Sequence, residues 1–243
     1  MRINALAPLA GALALVAAPL WADSLPQGDP AALGFSPDRL AAIDASLQAR
    51  IDAGDFPGAV VMVAREGEIA HLSALGAQRD GGGEMTEDAI FRIYSMTKPV
   101  TSVVAMMLVE EGRLGLSDPI SAYLPEYAEM QVLEDGGDAP VPAVRPIRVH
   151  DLLLHTAGMT YGFFGAGPAR EAMIAANLES GGFDNREVAR RIAGLPLEHQ
   201  PGEVWEYSRS TDVLGALIEV IEGASLGEVF EARVFAPLGM KDT

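Results

Sequence analysis

Lysine is almost absent from this chain. There are fifteen Arg but only two Lys, Lys98 and Lys241. Where a generic positive charge is enough, the chain uses Arg, so Lys98 points to a property that Arg lacks. An amine loses its proton when desolvated and a guanidinium does not. Ser95 stands three residues before Lys98. Positions i and i+3 share a helix face, so a helix opening at Ser95 lets hydroxyl and amine touch. The backbone N–H of such a Ser points out of the helix N-terminus, where it can stabilise an oxyanion. This is the Ser-x-x-Lys arrangement that builds acyl-enzymes on serine. With twelve Ser and two Lys, chance supplies about 0.1 such pair per chain of this length. The competing reading is a capping Ser beside a solvated Lys. The residues that follow speak against it. Val100, Val103, Val104, Met107 and Leu108 are apolar and set the amine beside a core.

Several elements must position this pair. Residues 38–53 carry Leu40, Ile43, Leu47 and Ile51 at helical spacing, with Gly54 as a stop. Residues 59–64 and 69–75 are β-rich runs joined by Arg65-Glu66-Gly67-Glu68, which predicts a hairpin. Residues 96–111 predict a helix apolar on most faces and therefore buried, ended by Gly112. A short helix is expected from Asp118-Pro119, a Pro/Gly-rich loop over 131–146, and a short helix over 149–155 stopped near Gly158. Asp184-x-x-Glu187 and Ser225-x-x-Glu228 read as capping boxes opening helices to about 192 and 234. Between them, 210–222 predicts a helix with Gly223 after it. A lone two-stranded ribbon is marginal in water, so the hairpin needs more sheet beside it.

The composition removes several function classes. Zero Cys leaves no disulfide scaffold, thiolate metal site or thiol nucleophile. The net charge is −17, and nucleic-acid binding needs a clustered basic face. His71, His150 and His199 have no partner at metal-ligand spacing, so no metal is expected. Arg2, the apolar run 5–20 and Leu20-Trp21-Ala22 read as a cleaved export signal over 1–22. That leaves one domain over 23–243, exported to the periplasm or beyond. No further stretch is long and apolar enough for a bilayer span, so no stable membrane insertion is expected.

Four motifs then carry a family resemblance. They are Phe91-Arg92-Ile93-Tyr94-Ser95-Met96-Thr97-Lys98, Leu152-Leu153-Leu154-His155-Thr156-Ala157-Gly158, Pro201-Gly202 leading to Tyr207-Ser208, and Pro237-Leu238-Gly239-Met240. Together they resemble the class C β-lactamase and penicillin-binding-protein-like serine hydrolases, and within them the family VIII carboxylesterases. The resemblance runs from about Phe35 to Thr243. It implies an α/β (α+β) fold of the β-lactamase/transpeptidase type. An antiparallel sheet is flanked by helices, with a mainly helical region over about 112–205 and a cleft between them. It implies Ser95 as nucleophile, Lys98 as the group that helps deprotonate it, and Tyr207 as second basic partner. Outside that context Tyr207 reads as a buried aromatic with one hydrogen bond. His155 reads as a residue that shapes the fold near the site. Tyr161, Phe163 and Phe164 either line an acyl pocket or pack on the core.

Two departures bear on substrate. Lactam- and peptide-cleaving members carry Asn where Arg209 stands, so Arg209 leans toward small esters, or else points to solvent. The family's third motif, a Lys-, His- or Trp-containing triplet ending in Gly, is expected on a late strand beyond Thr243. The chain is thus expected to be a fragment without the strands that flank the hairpin and without one oxyanion donor, a loss worth about 10²–10³ in rate. Poor stability or inactivity is the expected consequence. The leading reading is an acyl-enzyme hydrolase of small esters, needing no cofactor. A β-lactamase or D-alanyl-D-alanine carboxypeptidase, and a non-catalytic penicillin-binding-like module, are the alternatives.

Overall fold

A computed structural model describes residues 25–133, 139–178 and 182–243. The export signal expected over 1–22 lies outside the described residues, as does part of the loop expected over 131–146.

Helix α1 (Pro37–Asp52) opens on Ser36, whose hydroxyl accepts from the Arg39 amide, with Pro37 preset at the first position. Strands β1 (Gly58–Arg65) and β2 (Glu68–Gly76) form the expected hairpin, with Arg65 opposite Glu68. Glu66 and Gly67 both take left-handed backbone angles, φ 54° and 80°, which matches the turn to the strand twist. Asp44 of α1 pins the hairpin. It accepts from Ser73 Oγ at 2.7 Å and lies 2.9 Å from His71 Nε2. His71 thus has a partner 27 residues away that spacing along the chain hides.

A 3-10 turn (Tyr94–Met96) leads into α2 (Thr97–Glu110). This helix is not buried all round, contrary to its apolar pattern. Thr101, Val104, Ala105 and Leu108 are buried, while Val103 and Met106 are exposed. The helix packs on its neighbours from one side only. The short helix expected after Asp118 resolves into two 3-10 turns, Ile120–Ala122 and Pro125–Tyr127. Pro125 pushes Leu124 out of helical angles, to φ −124° and ψ 83°. Within the expected loop, β3 (Gln131–Val132) and β4 (Val141–Pro142) form a two-residue antiparallel pair.

Helix α3 (Val149–Leu154) starts on Asp151, whose carboxylate accepts from the Arg148 amide at 2.8 Å. It stops at His155, which turns left-handed at φ 56°, and not at Gly158. Helix α4 (Pro168–Ala175) follows a glycine-rich run that obscures it in the sequence. Helix α5 (Asn185–Ala193) is capped by Asp184, which accepts from the Glu187 amide at 2.8 Å. Helix α6 (Ser210–Glu222) has the bounds its pattern predicts, closed by left-handed Gly223. Helix α7 (Leu226–Phe230) carries the full Ser225/Glu228 box and passes through a π turn, Glu231–Phe235, into α8 (Ala236–Leu238).

Helix α6 is the centre of the core. Val213, Leu214, Ala216, Leu217 and Ile218 are fully buried. All but Ala216 share one apolar cluster with Val104 and Leu108 of α2, Leu152 of α3, Ile192 of α5, and Val229 and Phe230 of α7. The described residues of the region 112–205 form short helices, 3-10 turns and the β3–β4 pair. Among the described residues the sheet content is two separate two-stranded sheets, and no helix is long and apolar enough to cross a membrane.

Candidate active site

Ser95 is the middle residue of the turn before α2 and is exposed. Tyr94, just before it, is held left-handed at φ 43°. That costs a non-glycine residue on the order of 1–3 kcal/mol and is concentrated at functional turns. The turn delivers Ser95 to the N-terminal end of α2, where amides point outward and favour negative charge. Lys98 follows in the first turn of α2. Its Nζ donates to Ser95 Oγ at 3.3 Å. Tyr207 comes from 112 residues away and places its hydroxyl 2.6 Å from the same Oγ. The Lys98 ammonium sits 4.7 Å from the Tyr207 ring centre and 5.8 Å from that of Tyr161.

The segment carrying Tyr207 is laced to the end of α3. The Gly202 amide donates to the Thr156 carbonyl at 2.7 Å, and the Glu206 amide to the His155 carbonyl at 2.9 Å. The Ser208 amide donates to His155 Nδ1 at 3.2 Å. A ring nitrogen that accepts from an amide carries no proton, so the imidazole is neutral with its proton on Nε2. Burial, and then the Lys98 ammonium, push its pKa down, which keeps it so. The imidazole lies 4.9 Å from the Tyr207 ring and buttresses it. Gly158 completes the corner at φ 81°, where a Cβ would lie 2.1 Å from the His199 carbonyl; no other residue fits.

The electrostatics favour the charged forms of Lys98 and Tyr207. Burial opposes a Tyr207 phenolate, but hydrogen bonding with Lys98 and Ser95 and the ammonium charge outweigh it, so the phenol lies below its ordinary range. Burial also opposes the Lys98 ammonium, but Tyr207 and Tyr161 beside it hold its pKa above the usual one. The arrangement sets the Lys98 amine beside a Tyr207 oxygen whose ionised form it favours, and that oxygen lies within proton-transfer distance of Ser95.

A cleft of about 450 Å³ opens over these three residues. Tyr161, Phe163 and Phe164 form one wall. Their rings are stacked 4.5–6.2 Å apart, and Tyr161 also meets Tyr207 at 5.5 Å. Tyr161 is buried while Phe163 and Phe164 are exposed, so the trio lines the cleft and does not fill the core. Arg209 packs against this wall and is not aimed at solvent. Its guanidinium sits 4.8 Å from the Tyr161 ring centre and 3.4 Å from Asp212 Oδ1. The structure therefore gathers every residue singled out for the site. It adds Asn185, Thr211, Asp212 and Leu226 to the lining. Asp212 had a signal, being one helical turn after Arg209; Asn185 had none. Among the described residues no three acidic or His side chains are grouped to hold a metal.

Comparison with known proteins places the chain among related sequences and folds. The family model described as Beta-lactamase matches residues 43–243. Esterase EstB of Burkholderia gladioli is 38% identical over 218 residues, covering 88% of this chain and 54% of EstB. Protein Rv1367c of Mycobacterium tuberculosis is 42% identical over 203 residues, covering 82% of this chain and 50% of the relative. The structure of EstCE1, a hydrolase with promiscuous acyltransferase activity, superposes with a TM-score of 0.70 at 30% identity, over 86% of this chain and 52% of that one. Simvastatin synthase (LovD) from Aspergillus terreus gives 0.67 at 27% identity, over 84% of this chain and 54% of that one. The chain spans about half the length of the curated relatives it matches. With the family model running from Ile43 through Ser95, Lys98 and Tyr207 to the last residue, this chain belongs to the beta-lactamase family.

Proposed function

We propose that the protein is a serine hydrolase of small carboxylic esters that works through an acyl-enzyme on Ser95. The carrying observation is the convergence on Ser95 Oγ of Tyr207 at 2.6 Å and Lys98 at 3.3 Å. In the first step the Ser95 proton passes to the Tyr207 oxygen as Oγ bonds to the ester carbonyl carbon. The carbonyl oxygen takes up the electron pair as an oxyanion at the N-terminal end of α2. Collapse of this intermediate breaks the bond to the alkoxy oxygen, which leaves with the proton held by Tyr207. Water then repeats the sequence on the acyl-enzyme, and the acid departs.

The aromatic wall suits an apolar acyl chain of modest size. Arg209, stacked on Tyr161 and paired with Asp212, stands where lactam-cleaving relatives place an amide. That supports esters over lactams, as does the likeness to a protein named as an esterase. Export remains an expectation from residues 1–22 and belongs to the same proposal. The test is hydrolysis of p-nitrophenyl acetate and butyrate against a chromogenic cephalosporin. Ester turnover that Ser95→Ala abolishes is the expected result, and it would overturn the inactivity expected of a fragment. Cephalosporin turnover without ester turnover would move the assignment to the lactam reading, and neither would favour a non-catalytic module.

A further inference from the structure

Arg170 lies outside the cleft, yet its guanidinium joins three segments that shape it. The residue sits in α4 and is 8% exposed. Its Nε donates to Glu198 Oε1 at 2.9 Å, and its Nη2 meets the same oxygen at 2.8 Å. Nη2 also meets Glu206 Oε1 at 3.0 Å. Nη1 donates to the Phe164 carbonyl. Each partner belongs to the site's surroundings. Phe164 is part of the aromatic wall, Glu206 directly precedes Tyr207, and the Glu198 amide donates to the Gly158 carbonyl at 2.8 Å. The loop presses on the guanidinium as well. Gly165 has φ 70°, and a Cβ there would lie 3.2 Å from Arg170 Cζ.

This is a poor way to gain stability. One buried cation serves two carboxylates, and Glu198 Oε2 is buried without a hydrogen-bond partner. Buried charge clusters of this kind are often no more stable than apolar packing of the same volume. What a guanidinium does supply is direction, because its planar fork fixes several partners in one geometry.

We infer that Arg170 is a positioning residue: it holds the Phe164 wall and the Glu206–Tyr207 segment on one rigid plane and so sets acyl pocket and base together. The inference rests on the ester-hydrolase reading of the same cleft. It predicts that turnover and acyl-length preference are coupled through one side chain that touches neither substrate nor Ser95.

Arg170→Lys keeps the charge and loses the fork; Glu206→Gln weakens only the link to Tyr207, replacing an ion pair with a neutral hydrogen bond. Both are compared with the unaltered chain on p-nitrophenyl acetate, butyrate and octanoate, with folding checked by circular dichroism melts. Glu206→Gln should lower kcat on the order of 10-fold and shift the pH profile, with KM and acyl-length preference unchanged. Arg170→Lys should show the same kcat loss and also flatten the acyl-length preference. Folded variants with wild-type kcat and wild-type preference would overturn the inference. Where Arg170→Lys does not fold, Glu206→Gln decides alone: unchanged kcat and pH profile overturn it. If the unaltered chain releases no nitrophenol, the hydrolase reading has failed, and the brace is read from Trp205 fluorescence and near-ultraviolet circular dichroism. A changed aromatic signal in folded Glu206→Gln supports the brace, and an unchanged one refutes it.

Discussion

In α6, seven of thirteen residues are buried; in β1, none of eight is. The helical half wraps α6 on several sides and draws its neighbours into one apolar cluster. The hairpin half has α1 as its helical support, and within α1, β1 and β2 the buried residues are Leu40, Ile69 and Ala70. Met62 on β1 is largely exposed. The hairpin is thus held by backbone pairing and by the Asp44 clasp, with little core beneath it. The candidate site is built wholly by the better-packed half. Ser95 sits in the turn before α2 and Lys98 in its first turn, Tyr207 leads into α6, and the aromatic wall lies between α3 and α4. The contrast teaches that the chemistry's geometry does not depend on the hairpin, although the hairpin is the clearest β signal in the sequence.

The sharpest way to break the comparison is at the nucleophile. Ser95→Ala should lower ester turnover by on the order of 10³-fold or more, with an unchanged melting curve, because Ser95 is exposed and holds no core. A melting point that moves with it would mean that site and packing are not separable. The next largest effect is on stability. Leu217→Ala, in the middle of α6, should cost about 2–5 kcal/mol. Val61→Ala, in β1, should cost about 1 kcal/mol or less. Chemical denaturation of both variants checks the pair, and equal losses would erase the distinction between the halves.

Asp151 comes next. Its carboxylate holds Arg145 at 2.7 and 2.8 Å and caps α3 through the Arg148 amide at 2.8 Å. Burial pushes its pKa up, but these partners outweigh burial and hold it below the ordinary value. A lowered folded-state pKa gives stability that is full above the unfolded value, about 3.9, and lost as pH falls through the folded one. Asp151→Ala should therefore cost about 2–3 kcal/mol at neutral pH and flatten the loss of stability below pH 4. Guanidinium titrations at pH 7 and pH 3 measure both. A variant with the wild-type acid response would put that sensitivity elsewhere.

The Lys98–Tyr207 pair predicts a pH profile. With the phenol lowered and the ammonium raised, kcat/KM should climb through an acid limb below the ordinary phenol value of about 10. It should hold until Lys98 deprotonates. Lys98→Met should move the acid limb upward, and an unmoved limb would remove Lys98 from the activation of Tyr207. The smallest effect belongs to the hairpin clasp. Asp44→Ala frees His71 and Ser73 on β2, loosens the hairpin against α1, and should leave kcat/KM within about twofold.

Local signals along the chain were reliable where one residue or one turn decides the outcome. The α6 bounds follow from an apolar pattern ended by Gly223, the hairpin from Glu66-Gly67, and the α7 start from Ser225 and Glu228. The Ser95–Lys98 contact follows from helical spacing, and Tyr207 was found through a motif. Outcomes set by distant neighbours were not legible. The exposed Val103 and Met106 depend on which elements flank α2. That His155 and not a glycine takes the left-handed turn ending α3 depends on the Ser208 amide and the lacing of 202–206. The Arg170 brace joins residues 28 and 36 positions away, with no pattern in the sequence to announce it.

The central claim is that Tyr207 and Lys98 make Ser95 a nucleophile. Incubation of the chain with a fluorophosphonate, followed by peptide mass spectrometry, tests it without assuming any substrate. The account predicts one covalent adduct, on the peptide holding Ser95, formed far more slowly in Tyr207→Phe and absent in Ser95→Ala. An unlabelled Ser95 in the folded chain, or equal labelling with and without the Tyr207 hydroxyl, would contradict it.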